Sequence, residues 1–112
     1  MPYIETVSNQ PISRDTTIAL KRELGEAITL LGKTESWLQL SFRGDVDMFF
    51  KGEPSAQVYA RVALLGAAGP SAYEKMTARL CEIYGKHLGT PPDKVYVQYE
   101  EAKVWGWNGA NF

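Results

Sequence analysis

Residues 30–42 read LLGKTESWLQLSF and residues 87–99 read HLGTPPDKVYVQY. Each stretch ends an apolar helical stripe at a Leu-Gly pair, Leu31-Gly32 and Leu88-Gly89, crosses a polar turn, and enters a run where apolar and polar residues alternate. The two stretches lie 57 residues apart, about half the chain. At that offset Arg22 falls on Arg79, Leu24 on Cys81, Leu38 on Val95, Leu40 on Val97 and Phe42 on Tyr99. Agreement through helix, stop and strand predicts a duplicated strand–helix–strand unit, with halves at about 1–55 and 56–112 of a single domain.

Working outward, PYIETVS at 2–8 predicts a strand, and Ser13 or Asp15 a helix start. Leu20, Leu24, Ala27, Ile28 and Leu31 recur at helical spacing up to Gly32. In WLQLSF, Leu38, Leu40 and Phe42 share one strand face, and Trp37, Gln39 and Ser41 the other. Beyond Arg43-Gly44-Asp45, the run VDMFF predicts a further short strand. QVYARVALLG reads as a longer strand. The second helix carries Tyr73, Met76, Leu80, Ile83, Tyr84 and His87 on one stripe and stops at Gly89, with Pro91 and Pro92 behind it.

Two strand–helix–strand crossovers imply parallel pairing within each half, right-handed, with both helices on one face of a four-stranded mixed sheet. The fold class is therefore α+β, with short edge strands added. The opposite face is left bare with large residues such as Trp37 and Tyr96, and self-association is the natural way to cover it. The tail from Trp105 to Trp107 is too short for an independent strand and is expected to extend a neighbour's sheet.

Composition narrows the function. Twelve Lys and Arg against thirteen Asp and Glu, a formal charge of −1 with no run of either sign, leave no electrostatic footprint for nucleic acid or an anionic membrane. One cysteine, Cys81, excludes an intrachain disulfide, and one histidine, His87, leaves no Cys/His cluster for a metal. No apolar stretch approaches the roughly 20 residues of a membrane span, and the first ten residues lack the pattern of a signal peptide. A cytosolic location, or export without a leader, is expected. Partners should be small molecules or proteins.

Pro2 admits two readings. It could simply begin an edge strand, where a missing N–H costs nothing. Alternatively, an aminopeptidase removes Met1 and leaves Pro2 with a free secondary amine.

The start Met1-Pro2, LLGK ending at Lys33, the LLG closing the third long strand, PPDKVYVQY and the terminal GWNGANF, in this order from Pro2 to Phe112, together resemble the macrophage migration inhibitory factor family of the tautomerase superfamily. The resemblance implies a homotrimer of doubled β-α-β units and a cofactor-independent keto–enol tautomerase site at each subunit interface, with Pro2 as general base. An α-amino group starts near 8, and an apolar wall lowers it further by disfavouring the cation, so the amine would be neutral at pH 7. The ring also fixes the direction of the nitrogen.

The same resemblance places Lys33 by the substrate carboxylate or carbonyl; read from the residues alone, Lys33 complements the dipole of the first helix. It implies that Leu65 offers its backbone N–H to the ligand, and that Tyr96 and Gln98 reach the pocket from the adjacent subunit. Trp37, Trp105, Trp107 and Phe112 would form an apolar mouth suited to a small aromatic α-keto or enol acid, phenylpyruvate-like or dopachrome-like. Packing of Trp105 and Trp107 beneath the tail is an equal reading.

The chain departs from the best-known animal member in several places. Gln98 replaces Asn, Trp37 a tyrosine and Trp105 a valine, which enlarges the walls. Gln57 and Ala60 stand where that protein has a Cys-x-x-Cys pair, so no thiol–disulfide activity carries over. The arginine and acid set of dehalogenating relatives is absent. Besides a tautomerase, the chain is open to two other readings: a cytokine-like ligand for a protein receptor with a vestigial site, or a small-molecule binder without turnover.

Overall fold

The computed structural model describes all 112 residues. Strand β1 (Pro2–Ser8) pairs in parallel with β2 (Gln39–Arg43) and antiparallel with β3 (Val58–Leu65), and β4 (Val95–Ala102) lies parallel beyond β3. The sheet order is β2-β1-β3-β4. Each parallel pair is joined through a helix, α1 (Arg14–Ala27) or α2 (Pro70–Leu88), so the two halves meet back to back along the antiparallel β1–β3 seam.

Local chemistry sets the helix ends. Ser13 caps α1, its Oγ accepting the Thr16 N–H at 3.2 Å. Beyond Ala27 the chain tightens into a 3-10 turn over Ile28–Leu31 and stops at Gly32, whose φ of 72° is left-handed. Gly89, at φ 64°, ends α2 in the same way. Either position would cost a side-chain-bearing residue on the order of 1 kcal/mol.

The core lies between the helices and one sheet face. Ile4 of β1 and Ala60 and Val62 of β3 meet Leu20, Leu24 and Ile28 from the first helical segment and Met76, Leu80 and Ile83 from the second. Each fully buried Leu or Ile contributes about 1.5–3 kcal/mol. Leu38, Leu40, Phe42, Val95, Val97 and Tyr99 flank this centre, as their alternation predicts. The buried Thr6 and Tyr84 hydroxyls satisfy each other at 2.7 Å, and burial pushes the Tyr84 phenol well up from its ordinary value.

The other sheet face is uncovered but more polar than expected. Arg61 reaches Glu5 at 3.4 Å and Glu100 at 2.9 Å, with its guanidinium 5.6 Å from the Tyr3 ring centre. Tyr96 stands on this face, 63% exposed. Trp37 does not, because it closes a 3-10 turn over Glu35–Trp37 and the strand begins two residues later.

Three further expectations need correction. VDMFF forms no strand: Asp45 takes a φ of 56°, and the segment's only ladder contact is an antiparallel bridge between Phe50 and Glu53. The tail does not remain a lone segment, because Gly106–Trp107 (β5) and Ala110–Asn111 (β6) close on themselves as a small hairpin around Asn108 and Gly109, both at positive φ. His87 is not an apolar stripe member either. With Arg79 and Lys86 of α2 it surrounds Glu23 of α1, a carboxylate only 6% exposed. No helix is long and apolar enough to cross a membrane.

Candidate active site

Pro2 opens β1 directly opposite Leu64 of β3, and it is buried. Since β1 is paired on both sides, the edge-strand explanation for this proline fails. It is tolerated only as the first strand residue, where no ladder bond is lost. Around it lies a cleft of about 430 Å³ lined by Met1, Pro2, Trp37, Gln39, Trp105 and Trp107, among others. Three predicted wall residues are thus brought to the predicted base. Trp107 meets Trp37 edge to face at 5.0 Å and lies near-parallel to Phe112 at 6.2 Å, while the Phe112 N–H donates to the Trp105 carbonyl at 3.0 Å. The tail hairpin therefore serves as a wall of this cleft. Phe112 braces Trp107 and does not itself line the cleft.

Lys33 follows the left-handed Gly32, which turns the chain back toward the end of β3. Its Nζ donates to the Leu65 carbonyl at 2.9 Å. The N–H of the same residue, Leu65, donates to the Met1 carbonyl at 3.1 Å. The amino group of Met1 is held below its ordinary value of 8.0, first by burial and second by the charge of Lys33. An ammonium and an amide N–H thus converge beside the N-terminus, a setting that favours negative charge on a bound molecule and a neutral amine.

Tyr96 and Gln98 are not brought to this cleft. In β4 they lie beside Tyr59 and Arg61, whereas Pro2 is level with Leu64. Five strand residues, about 17 Å, separate the level of Tyr96 from that of Pro2, and three, about 10 Å, that of Gln98. Gln98 is bonded to the Tyr59 hydroxyl, and Tyr96 packs on Phe50 with ring centres 4.9 Å apart.

Sequence reasoning missed several residues near the site. Ser36 and Gln39 line the cleft because the chain turns at Trp37. Tyr73 supports the loop after Leu65 by accepting the Ala68 N–H at 3.2 Å and donating to Glu101 at 2.5 Å. Burial and the Glu101 bond raise its phenol, which keeps it a neutral donor. The only sequence signal for Tyr73 was its place on the α2 stripe. Partial burial also pushes the Cys81 thiol up, which disfavours the reactive thiolate.

Comparison with known proteins identifies the family and the fold. The family model described as macrophage migration inhibitory factor matches residues 1–112. A macrophage migration inhibitory factor homolog of Brugia malayi is 25% identical over 114 residues, covering 100% of this chain and 99% of its own, and the Xenopus laevis protein is 28% identical over 101 residues, covering 88% and 85%. Among solved structures, a macrophage migration inhibitory factor of Leishmania major superposes with a TM-score of 0.94 at 30% identity, covering 100% of this chain and 97% of that one. A homologue from Prochlorococcus marinus gives 0.89 at 29% identity and 98% coverage of both. Matched from end to end in sequence and in fold, this chain belongs to the macrophage migration inhibitory factor family of the tautomerase superfamily.

Proposed function

We propose that this protein is a cofactor-independent keto–enol tautomerase of small aromatic α-keto or enol acids, with the Pro2 nitrogen as general base once Met1 has been removed. The observation that carries the reading is that Pro2 lines a tryptophan-walled cleft, while the Leu65 N–H is bonded to the Met1 carbonyl and the charge of Lys33 acts on the neighbouring amine.

Removal of Met1 turns the Pro2 amide into a secondary amine and releases the Leu65 N–H. Burial and the positive charge of Lys33, which together depress the Met1 amine, then act on an amine one residue further into the sheet. The neutral amine takes a proton alpha to the substrate carbonyl, the electron pair moves onto the carbonyl oxygen, and Lys33 with the Leu65 N–H stabilises the resulting negative charge. The proton returns to oxygen to complete the tautomer. Trp37, Trp105 and Trp107 favour a flat aromatic group by apolar and edge-on contact.

The working form in this reading is a homotrimer of single-domain chains. In that trimer Tyr96 and Gln98 of one subunit would reach the cleft of the next, in keeping with the position of Tyr96 at the end of its own sheet away from Pro2. The test replaces Pro2 by glycine, which keeps a primary amine but removes the ring, and follows enolphenylpyruvate by absorbance. Turnover should fall roughly 10² or more with the fold retained. Full activity in a folded Pro2→Gly protein lacking Met1 would leave the cytokine-like protein-binding module as the better reading.

A further inference from the structure

Gln57 is 4% exposed, an unusual degree of burial for a glutamine, and its side-chain NH₂ is fully engaged. The side-chain NH₂ faces the carbonyl oxygens of Met48 at 3.1 Å, Glu53 at 3.3 Å and Ser55 at 3.0 Å. These acceptors lie on both sides of the turn that carries Phe50, where Phe50 and Glu53 exchange backbone bonds of 2.9 and 3.0 Å around Lys51 and Gly52, both at positive φ. Gln57 is itself held to the end of β1. Its N–H donates to Asn9 Oδ1 at 3.0 Å, its carbonyl accepts from Ser8 Oγ at 2.9 Å, and Asn9 Nδ2 reaches the Pro54 and Ser55 carbonyls at 3.1 and 2.9 Å. The turn then presents the Phe50 ring to Tyr96 at 4.9 Å, with Lys94 Nζ 5.0 Å from the centre of the same Phe50 ring.

We propose that Gln57, assisted by Asn9, is a positioning residue for Tyr96: it fixes the 48–55 turn, the turn fixes Phe50, and Phe50 sets the plane of the Tyr96 ring. Tyr96 is otherwise exposed on the uncovered sheet face and has no other aromatic neighbour to orient it. The functional part of this inference rests on the proposed tautomerase, in which Tyr96 contributes to the cleft of an adjacent subunit. Gln57 would then govern how well a substrate is held in that cleft, without touching the substrate or the proton being moved.

The test uses the full chain labelled with 3-fluorotyrosine, with Tyr96→Phe identifying the Tyr96 resonance among the six tyrosines. Gln57→Met keeps the volume and removes both N–H donors. It is expected to shift or broaden the Tyr96 ¹⁹F signal and to raise KM for enolphenylpyruvate about tenfold, with kcat within about twofold. In a Tyr96→Ala background the same substitution should leave KM unchanged. An unmoved Tyr96 signal, or a KM effect that persists in full without the Tyr96 ring, would overturn the proposal. Should Gln57→Met fail to fold, Asn9→Ala, which loosens the same turn while leaving the Gln57 side chain in place, is read in the same way. Absence of turnover in the wild type would defeat the tautomerase reading alone, because the ¹⁹F comparison still decides whether Gln57 orients Tyr96.

Discussion

The Leu65 N–H donates to the carbonyl oxygen of Met1 at 3.1 Å, so the residue that acylates the Pro2 nitrogen also occupies the donor nearest to it. In the proposed reaction, one cleavage would therefore expose the base and an anion-stabilising donor together. Protein that keeps Met1, made in cells lacking the aminopeptidase, should be at least about 10²-fold less active than processed protein of the same sequence, since it has no general base. Intact mass tells the two forms apart, and equal activity would rule out Pro2.

The pH dependence has a definite sign. Only the neutral amine accepts a proton, so kcat/KM should rise with pH through the pKa of the free Pro2 amine, expected below that of an ordinary chain terminus because burial and the Lys33 charge already lower the adjacent Met1 amine. Because the Lys33 charge is one cause of the lowering, Lys33→Ala should move the midpoint to higher pH as well as reducing kcat. A Lys33→Ala profile with an unshifted midpoint would mean that burial alone depresses the amine.

Assembly is checked independently of chemistry. Light scattering at micromolar concentration should give about 37 kDa, three times the 12.5 kDa chain. A monomer would leave Tyr96 and Gln98 without a cleft to serve.

The tryptophan walls should select substrate shape. Enolphenylpyruvate should exceed enolpyruvate in kcat/KM by at least about tenfold, near 1.4 kcal/mol of apolar contact. Trp107→Ala, which also strips Trp37 of its edge-to-face partner, should erase most of that preference. Preference retained in Trp107→Ala would assign this tryptophan to packing.

Glu23 gives a stability prediction away from the site. Its carboxyl is held below the usual range, chiefly by the hydrogen bond from His87, with the charges of Lys86 and His87 adding to the effect and burial opposing it. A depressed carboxyl contributes stability above its unfolded pKa, and that contribution is lost as pH falls through the folded one. The melting temperature should therefore drop on acidification below about pH 4.5, the unshifted value, and Glu23→Gln should lower it at pH 7 and flatten the acid dependence. An unchanged acid limb in Glu23→Gln would show that other carboxylates set it.

The fold was largely legible in the sequence because its signals were local and repeated. The Leu-Gly stops at 31–32 and 88–89 marked both helix ends, and the alternation from Leu38 and from Val95 placed the core face of β2 and β4. VDMFF misled because strand-like composition does not supply a partner, and the Val46 N–H is already taken by the Ser8 carbonyl. The tail misled for the opposite reason, since Asn108-Gly109 is a turn signal strong enough to close even a two-residue hairpin. At the site, the family resemblance pointed to Pro2, Lys33, Trp37, Trp105 and Trp107, and the fold brings Pro2 and the three tryptophans to one cleft with Lys33 acting on the adjacent N-terminus. Gln57 carried no signal in the sequence, because its role depends on carbonyls from a turn whose path is irregular.

The antiparallel β1–β3 seam relates the two halves by an approximate dyad, which puts Pro2 at one end of the sheet and Tyr96 at the other. In a head-to-tail ring of the kind proposed, a chain never completes its own cleft, and the consequence is genetic. Chains that lack the Pro2 base and chains weakened only at Tyr96, each impaired alone, should regain full-strength clefts when co-expressed, because a neighbouring pair can hold one intact contribution from each allele. Random mixing in equal amounts restores about a quarter of the clefts.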